Sequence, residues 1–382
     1  MIEFDDNVHT IFIMTGFACN YNCKYCMQHG SREIYVPKKE YNLEIIDFIK
    51  QIANKRKESD KSKLILNFFG GEPLLFLDII KDIIERVIED YVDFSIITNG
   101  SLITDEFVSY VHSVRERNHY FGVSVSWDGR NTKHSRLRDV FEDNKENIFK
   151  LRNFSISGVI NKYNYPRQFF EDVQKIEDEY KLLYPEDTDF SINFSLDTLY
   201  NLNNPKQTDV FDIDFDRLRK EIEELIYDCY HNTGKNNNYH NQYISEIINR
   251  AEWFQEYDKE KNNKQFSCCM NGIQVINLDL DGNLYMCHDD KNTVLGTIHS
   301  SEKDYYTKYR KHNCVLPQYF IDNCNTCDVR FVCNGGCMLL SKEERDNYYC
   351  KQRKAMYEPV IEFLMRVANN EEFTEDEINK ES

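Results

Sequence analysis

Cys19, Cys23 and Cys26 fall within eight residues, spaced C-x3-C-x2-C, directly after the apolar run from His9 to Met14. Three thiolates at that spacing can hold three irons of a four-iron, four-sulfur cube and leave the fourth iron open. A closed electron-transfer cluster or a structural zinc site wants a fourth ligand nearby, yet the next cysteine is Cys229. The missing ligand points to an iron that binds a substrate or cofactor. The plainer alternatives are half a zinc site or three unrelated thiols.

A second group of cysteines lies near the other end. Cys269 precedes Gly272 and Cys287, and then come Cys324, Cys327, Cys333 and Cys337, with Cys350 beyond. Asp281-Gly282 between two alternating apolar runs reads as a β-hairpin turn, bringing Cys269 and Cys287 to neighbouring ends of a small sheet. The same string faintly matches a calcium loop, but the downstream Glu is absent. A zinc module is the plain alternative for residues 324–350. Cys229, in a helix-like stretch with no cysteine neighbour, reads as a buried free thiol.

The elements that must position these groups are βα units. Strand-like runs occur at Thr10–Thr15, Leu64–Phe69, Phe94–Thr98, Phe121–Trp127, Ile156–Ile160 and Phe190–Leu196, with helix-like stretches between them. Such alternation implies a parallel sheet with helices outside it, an α/β fold. Chemistry in such barrels sits at the C-terminal ends of the strands. The motifs fall there: Gly70-Gly71-Glu72-Pro73 after the second run, Thr98-Asn99-Gly100 after the third, and Ser126-Trp127-Asp128-Gly129 after the fourth. Residues 201–265 break the alternation and read as a helical connector, with helices at Phe215–Tyr230 and Tyr243–Tyr257; another helix spans Met356–Val367.

The 382 residues suffice for one large domain and a smaller one, and 41% of them are apolar. A formal charge of −18, from 47 basic and 65 acidic residues, argues against a nucleic-acid binder. No apolar run approaches a membrane span. Thirteen cysteines behind an acidic start with no secretory signal read as metal ligands in a reducing, cytoplasmic setting.

The C-x3-C-x2-C run with Tyr25 before its last cysteine, followed by Gly-Gly-Glu, Thr-Asn-Gly and S-x-D-G, resembles the radical S-adenosylmethionine (SAM) enzymes. The C-terminal cysteine order resembles the SPASM domain, an extension carrying auxiliary 4Fe–4S clusters. The resemblance implies a partial (β/α)6 TIM-like barrel over 1–200, the connector over 201–265, the small cysteine-rich iron–sulfur domain over 266–355, and a C-terminal helix and acidic tail over 356–382. It implies three 4Fe–4S clusters. Cys19, Cys23 and Cys26 hold the one whose open iron binds SAM; Cys324, Cys327, Cys333 and Cys350 hold another. Cys269, Cys287 and Cys337 hold the third, with Cys314 or an open iron as its fourth position.

SAM contacts are carried over to Tyr25, Gly70, Gly71, Glu72, Thr98, Asn99, Ser126 and Arg138, with Arg136 a competitor for the SAM carboxylate and the fifth strand supplying apolar contact to adenine. His288 and Asp289 are the candidate catalytic bases. The implied reaction begins with an electron from ferredoxin or flavodoxin. SAM is then cleaved to a 5′-deoxyadenosyl radical, which takes hydrogen from a peptide or protein, giving a cross-link or other oxidative modification in ribosomal peptide maturation.

With eighteen residues before Cys19, a built-in leader-binding domain is not expected, so a separate leader-binding protein is a candidate partner. Sulfatase-maturating relatives carry Asp directly after the hairpin cysteine, where this chain has His288. Formylglycine formation is therefore the alternative, beside a radical SAM enzyme on a small molecule. Outside enzymes, a multi-cluster electron carrier is the rival, and the Gly-Gly-Glu-Pro turn and the half-open cluster argue against it.

Overall fold

In a computed structural model, residues 4, 6–28, 40–198, 209–231, 239–248, 274–309, 324, 326–333, 337, 340 and 348–371 are described. Cys268, Cys269, Cys314 and about half of the connector lie outside them.

Six strands alternate with helices: β1 (Thr10–Met14), α1 (Glu44–Glu58), β2 (Leu64–Phe69), α2 (Leu77–Val87), β3 (Val92–Thr98), α3 (Asp105–Glu116), β4 (Phe121–Ser126), β5 (Ser155–Val159) and β6 (Asn193–Asp197). Three short helices, Thr132–Arg136, Val140–Asp143 and Lys145–Lys150, precede β5, and the helix Pro166–Leu183 precedes β6. The strands pair in parallel in sequence order, as a partial (β/α)6 barrel requires.

Alternation decides which side each residue serves. In β2, Leu64, Leu66 and Phe68 are fully buried, while Ile65, Asn67 and Phe69 are half-buried on the concave side. The outer layer is helix stripes at i, i+3, i+4 spacing, such as Ile79, Ile80, Ile83, Ile84 and Val87 of α2. Each such side chain contributes about 1.5–3 kcal/mol on burial. Thr104 caps α3 by accepting from the Phe107 N–H at 3.3 Å. Pro166 starts its helix at the first turn, where no N–H is required.

The hairpin forms as expected, from β7 (Val275–Asp279) and β8 (Asn283–Cys287), followed by β9 (Asp290–Thr297). Gly282 takes the left-handed conformation at φ 87°, and Asp279 accepts from the Asp281 and Asn283 N–H groups. The expected separate small sheet is corrected. β7 pairs in parallel with β1, Thr10 against Val275 through Met14 against Asp279, so one nine-stranded sheet results. A first strand with an open edge leaves a row of unpaired N–H and C=O groups, and β7 covers it.

The helix Phe215–Tyr230 forms as read, and a helix spans 239–248. Cys229 is half-buried. The C-terminal helix runs Cys350–Ala368, starting six residues earlier than the sequence suggested and continuing through Pro359. It packs on Phe215–Tyr230, where Arg219 pairs with Glu358 and Glu362. No described helix is long and apolar enough to cross a membrane.

Candidate active site

The loop after β1 carries the three cysteines, and the turn after β2 lies directly on its backbone. The Gly71 N–H donates to Gly16 O and the Glu72 N–H to Ala18 O, both at 2.8 Å. A Cβ on Gly70 would stand 2.3 Å from Gly16 O, and one on Gly71 would stand 2.2 Å from Ala18 O. Gly70 also holds φ +154°. Only glycine admits this approach, and the contact sets Ala18, hence Cys19, against the sheet.

Glu72 is fully buried. One carboxylate oxygen accepts from the Leu74 N–H at 3.0 Å and from Thr98 Oγ1 at 2.6 Å; the other accepts from the Asn99 N–H at 2.8 Å. Its side chain therefore ties the second-strand turn to the third-strand loop. Asn99 reaches on from there, donating to Asn20 Oδ1 at 2.8 Å and standing 4.0 Å from Cys19 Sγ.

Burial raises the Glu72 carboxyl to about 7, against the pull of its three hydrogen bonds. A folded-state value above the unfolded one favours the protonated fold. Its contribution is therefore present below pH 4.5 and lost as pH rises toward 7. Glu72→Gln is expected to remove that decline in stability. It also places an NH2 donor against an existing donor, lowering unfolding free energy by about 1–3 kcal/mol. Chemical denaturation at several pH values measures both effects.

Behind the cysteine loop sits Asp128, a hub that the sequence reading passed over. It is buried and accepts from Tyr25 Oη and Ser135 Oγ, both at 2.6 Å, and from Arg136 Nη2 and the Val159 N–H, both at 3.0 Å. Its place in S-x-D-G was the available signal. The Tyr25 hydroxyl is thus engaged inside the protein, leaving its ring and backbone for other contacts. Arg136 is buried on Asp128. Arg138 is exposed, with its guanidinium 5.5 Å from the Tyr21 ring centroid. Of the two arginines, Arg138 is the one open to a ligand. His134 is exposed and stacks on Tyr163 at 4.6 Å.

Ser126, Ser157 and Ser195 occupy neighbouring strands at matched register, with the last two hydroxyls 2.7 Å apart. Ile156 and Ile160 are fully buried, so β5 leaves only half-buried Val159 as its apolar contact.

The merged sheet brings the hairpin residues to the concave side. His288 stacks on Phe12 at 4.7 Å and meets Phe69 edge-on at 4.3 Å. Its Nε2 is 3.1 Å from Asp289 Oδ2, and Gln28, two residues past Cys26, donates to Asp289 Oδ1 at 3.1 Å. Donor atoms of Cys287, His288 and Asp289 lie within 4.8 Å of one another. Met27, Cys333 and Cys337 pack together on the apolar pair Leu340 and Tyr349. C-terminal cysteines therefore adjoin the loop that holds Cys26.

The described residues fit an iron–sulfur cluster at Cys19, Cys23 and Cys26. The donors are three half-buried thiols, the soft ligand set that iron–sulfur clusters use. Burial pushes the Cys23 thiol up to about 12, so a thiolate there needs a bound cation. The Arg136 Nε–H, buried beside them, has no hydrogen-bond partner among the described residues.

Residues 13–183 match the model of the Radical SAM superfamily. The chain carries a radical SAM domain and is a radical SAM enzyme, and such a domain implies a 4Fe–4S cluster and SAM. The radical SAM cyclopropyl synthase TigE of Paramaledivibacter caminithermalis is 24% identical over 393 residues, covering 97% of this chain and 76% of TigE. An S-adenosylmethionine-dependent nucleotide dehydratase of a Fibrobacter species is 28% identical over 195 residues, covering 46% of this chain and 56% of that one. The solved structure of native anSMEcpe with bound AdoMet and Cp18Cys peptide shares the fold, with TM-score 0.62, 20% identity and coverage of 94% of this chain and 99% of that one.

Proposed function

We propose that the chain is a radical SAM maturase of the SPASM kind, acting on a peptide or protein. The observation that carries this reading is the merged sheet, which sets His288, between Cys287 and Asp289, against Phe12 and Phe69 on the concave side of the barrel. A hairpin bearing a cluster ligand then borders the space in which substrate meets SAM. The peptide bound in the anSMEcpe structure supports the substrate class.

When bound, the cluster and SAM supply an electron and a carbon radical able to take hydrogen from an unactivated C–H bond. The protein's own residues orient the reactants and exclude water. Gly70 and Gly71 let backbone approach SAM, Ser126 faces it, and Arg138 pairs with its carboxylate. Glu72, Thr98 and Asn99 hold the loops that make those contacts. His288 and Asp289 border the substrate, and Cys324, Cys327, Cys333, Cys337 and Cys350, with Cys269 and Cys314, supply the auxiliary cluster ligands. A low-potential ferredoxin or flavodoxin is the electron donor.

Arg138→Lys is expected to weaken SAM binding by about 1.5–3 kcal/mol, because a point charge cannot match a bidentate carboxylate pair. Equilibrium dialysis against SAM measures it.

The substrate class is tested by anaerobic reconstitution and incubation with a panel of short Cys- and aromatic-rich peptides, and with any such peptide found encoded beside the gene, followed by mass spectrometry. Loss of two hydrogen atoms from such a peptide, together with release of 5′-deoxyadenosine, is the expected result. The nucleotide dehydratase likeness favours a second reading, a small-molecule substrate. Turnover of nucleotides with no peptide modified would establish that one instead.

A further inference from the structure

Arg136 is nine-tenths buried on the inner side of the cysteine loop. Its placement is fixed from several directions. Nη2 pairs with Asp128 at 3.0 Å, and the guanidinium carbon lies 5.4 Å from the Tyr25 ring centroid. The preceding residue, Ser135, accepts from the Lys24 N–H at 2.8 Å, which pins the loop between Cys23 and Cys26 onto this short helix. One Nη2 N–H is thus taken by Asp128. The Nε–H is buried and finds no partner among the described residues.

A buried N–H without an acceptor is costly, and native proteins rarely keep one. A guanidinium donor beside a thiolate-ligated cluster has an obvious acceptor, because cluster sulfurs carry negative charge. The charge of Arg136 already opposes the effect of burial on Cys23, which places it within electrostatic reach of that ligand.

We propose that Arg136 is a positioning residue for the SAM-binding cluster. Its Nε–H donates a hydrogen bond to the sulfur on the Cys23 side, and the interaction raises the cluster's reduction potential. Reduction adds negative charge to the cluster, so a fixed positive donor stabilises the reduced form more than the oxidised one. Asp128 holds the guanidinium in place and partly offsets its charge. Tyr25 forms the apolar wall that keeps water from competing for the Nε–H. The role differs from that of Arg138, which is exposed and serves the SAM carboxylate.

The test is EPR-monitored redox titration of the anaerobically reconstituted full chain. Arg136→Lys keeps the charge and removes the planar Nε–H. Its cluster is expected to titrate at a more negative midpoint potential than wild type, with equal iron content and equal SAM affinity. A midpoint unchanged from wild type would overturn the proposal. So would a loss of SAM affinity as large as that of Arg138→Lys, since Arg136 would then be a SAM ligand. Should Arg136→Lys fail to load iron, the wild-type enzyme carries the test. With nitrogen-15 in the arginine guanidinium groups alone, hyperfine spectra of the reduced cluster are expected to show coupling to a guanidinium nitrogen. Spectra without that coupling would overturn the proposal.

Discussion

Gly71→Ala is expected to strip the SAM-binding cluster from the protein and reduce SAM cleavage by about 100-fold or more, the usual cost of displacing a reactive group by ~1 Å. The added methyl would stand 2.2 Å from Ala18 O and 2.6 Å from Phe17 O. Both are backbone atoms, so no rotamer change relieves the clash. The loop can withdraw only by breaking the bonds from Gly71 N–H to Gly16 O and from Glu72 N–H to Ala18 O. Ala18 directly precedes Cys19, so the withdrawal displaces a ligand. Iron per chain after anaerobic reconstitution should fall by about four atoms, one cluster's worth. A variant with full iron and wild-type cleavage of SAM would show that the contact does not position the loop.

The second large effect is expected from the C-terminal cysteines. Single replacement of Cys324, Cys327, Cys333 or Cys350 by Ala should remove a further cluster and abolish substrate modification. Dithionite-driven cleavage of SAM should persist at a several-fold lower rate. Cys350 begins the helix that packs on Phe215–Tyr230, and Arg353 donates to Tyr349, just before that helix, and to Tyr357 within it, at 2.7 and 2.6 Å. Where metal binding stabilises such a small unit, losing a ligand loosens the unit as well. The slowing follows from Met27, which shares the apolar contact of Cys333 and Cys337 and is adjacent to Cys26. Wild-type substrate turnover in a variant shown by iron analysis to lack its auxiliary clusters would leave this region as scaffold alone.

The sequence by itself determined the barrel strands and the motif turns, because both depend on local pattern. Alternation in Leu64–Phe69 and the Ile stripe of α2 are legible from periodicity, and each motif stands within a few residues of a strand end. The cysteine spacing is likewise a short-range property of one loop. The hairpin at Asp281-Gly282 was legible for the same reason.

Only the tertiary structure decided which partners lie far apart in the chain. That β7 lies beside β1 is a pairing across some 260 residues, set by an open sheet edge rather than by any local signal. It turned an expected separate sheet into an extension of the barrel and brought His288 onto Phe12. The resemblance put Arg138 ahead of Arg136 at the SAM carboxylate, but residue pattern alone gave no physical ground for that order. Two arginines two residues apart are equivalent in pattern, and only burial against Asp128 separates an inward charge from an outward one. The side chain of Glu72 shows the same limit. The motif marks it as important, but its full burial and its bonds to residues 74, 98 and 99 show a carboxylate that binds the protein to itself. Desolvation and long-range packing are properties of the folded chain, and they set what each of these charged groups can touch.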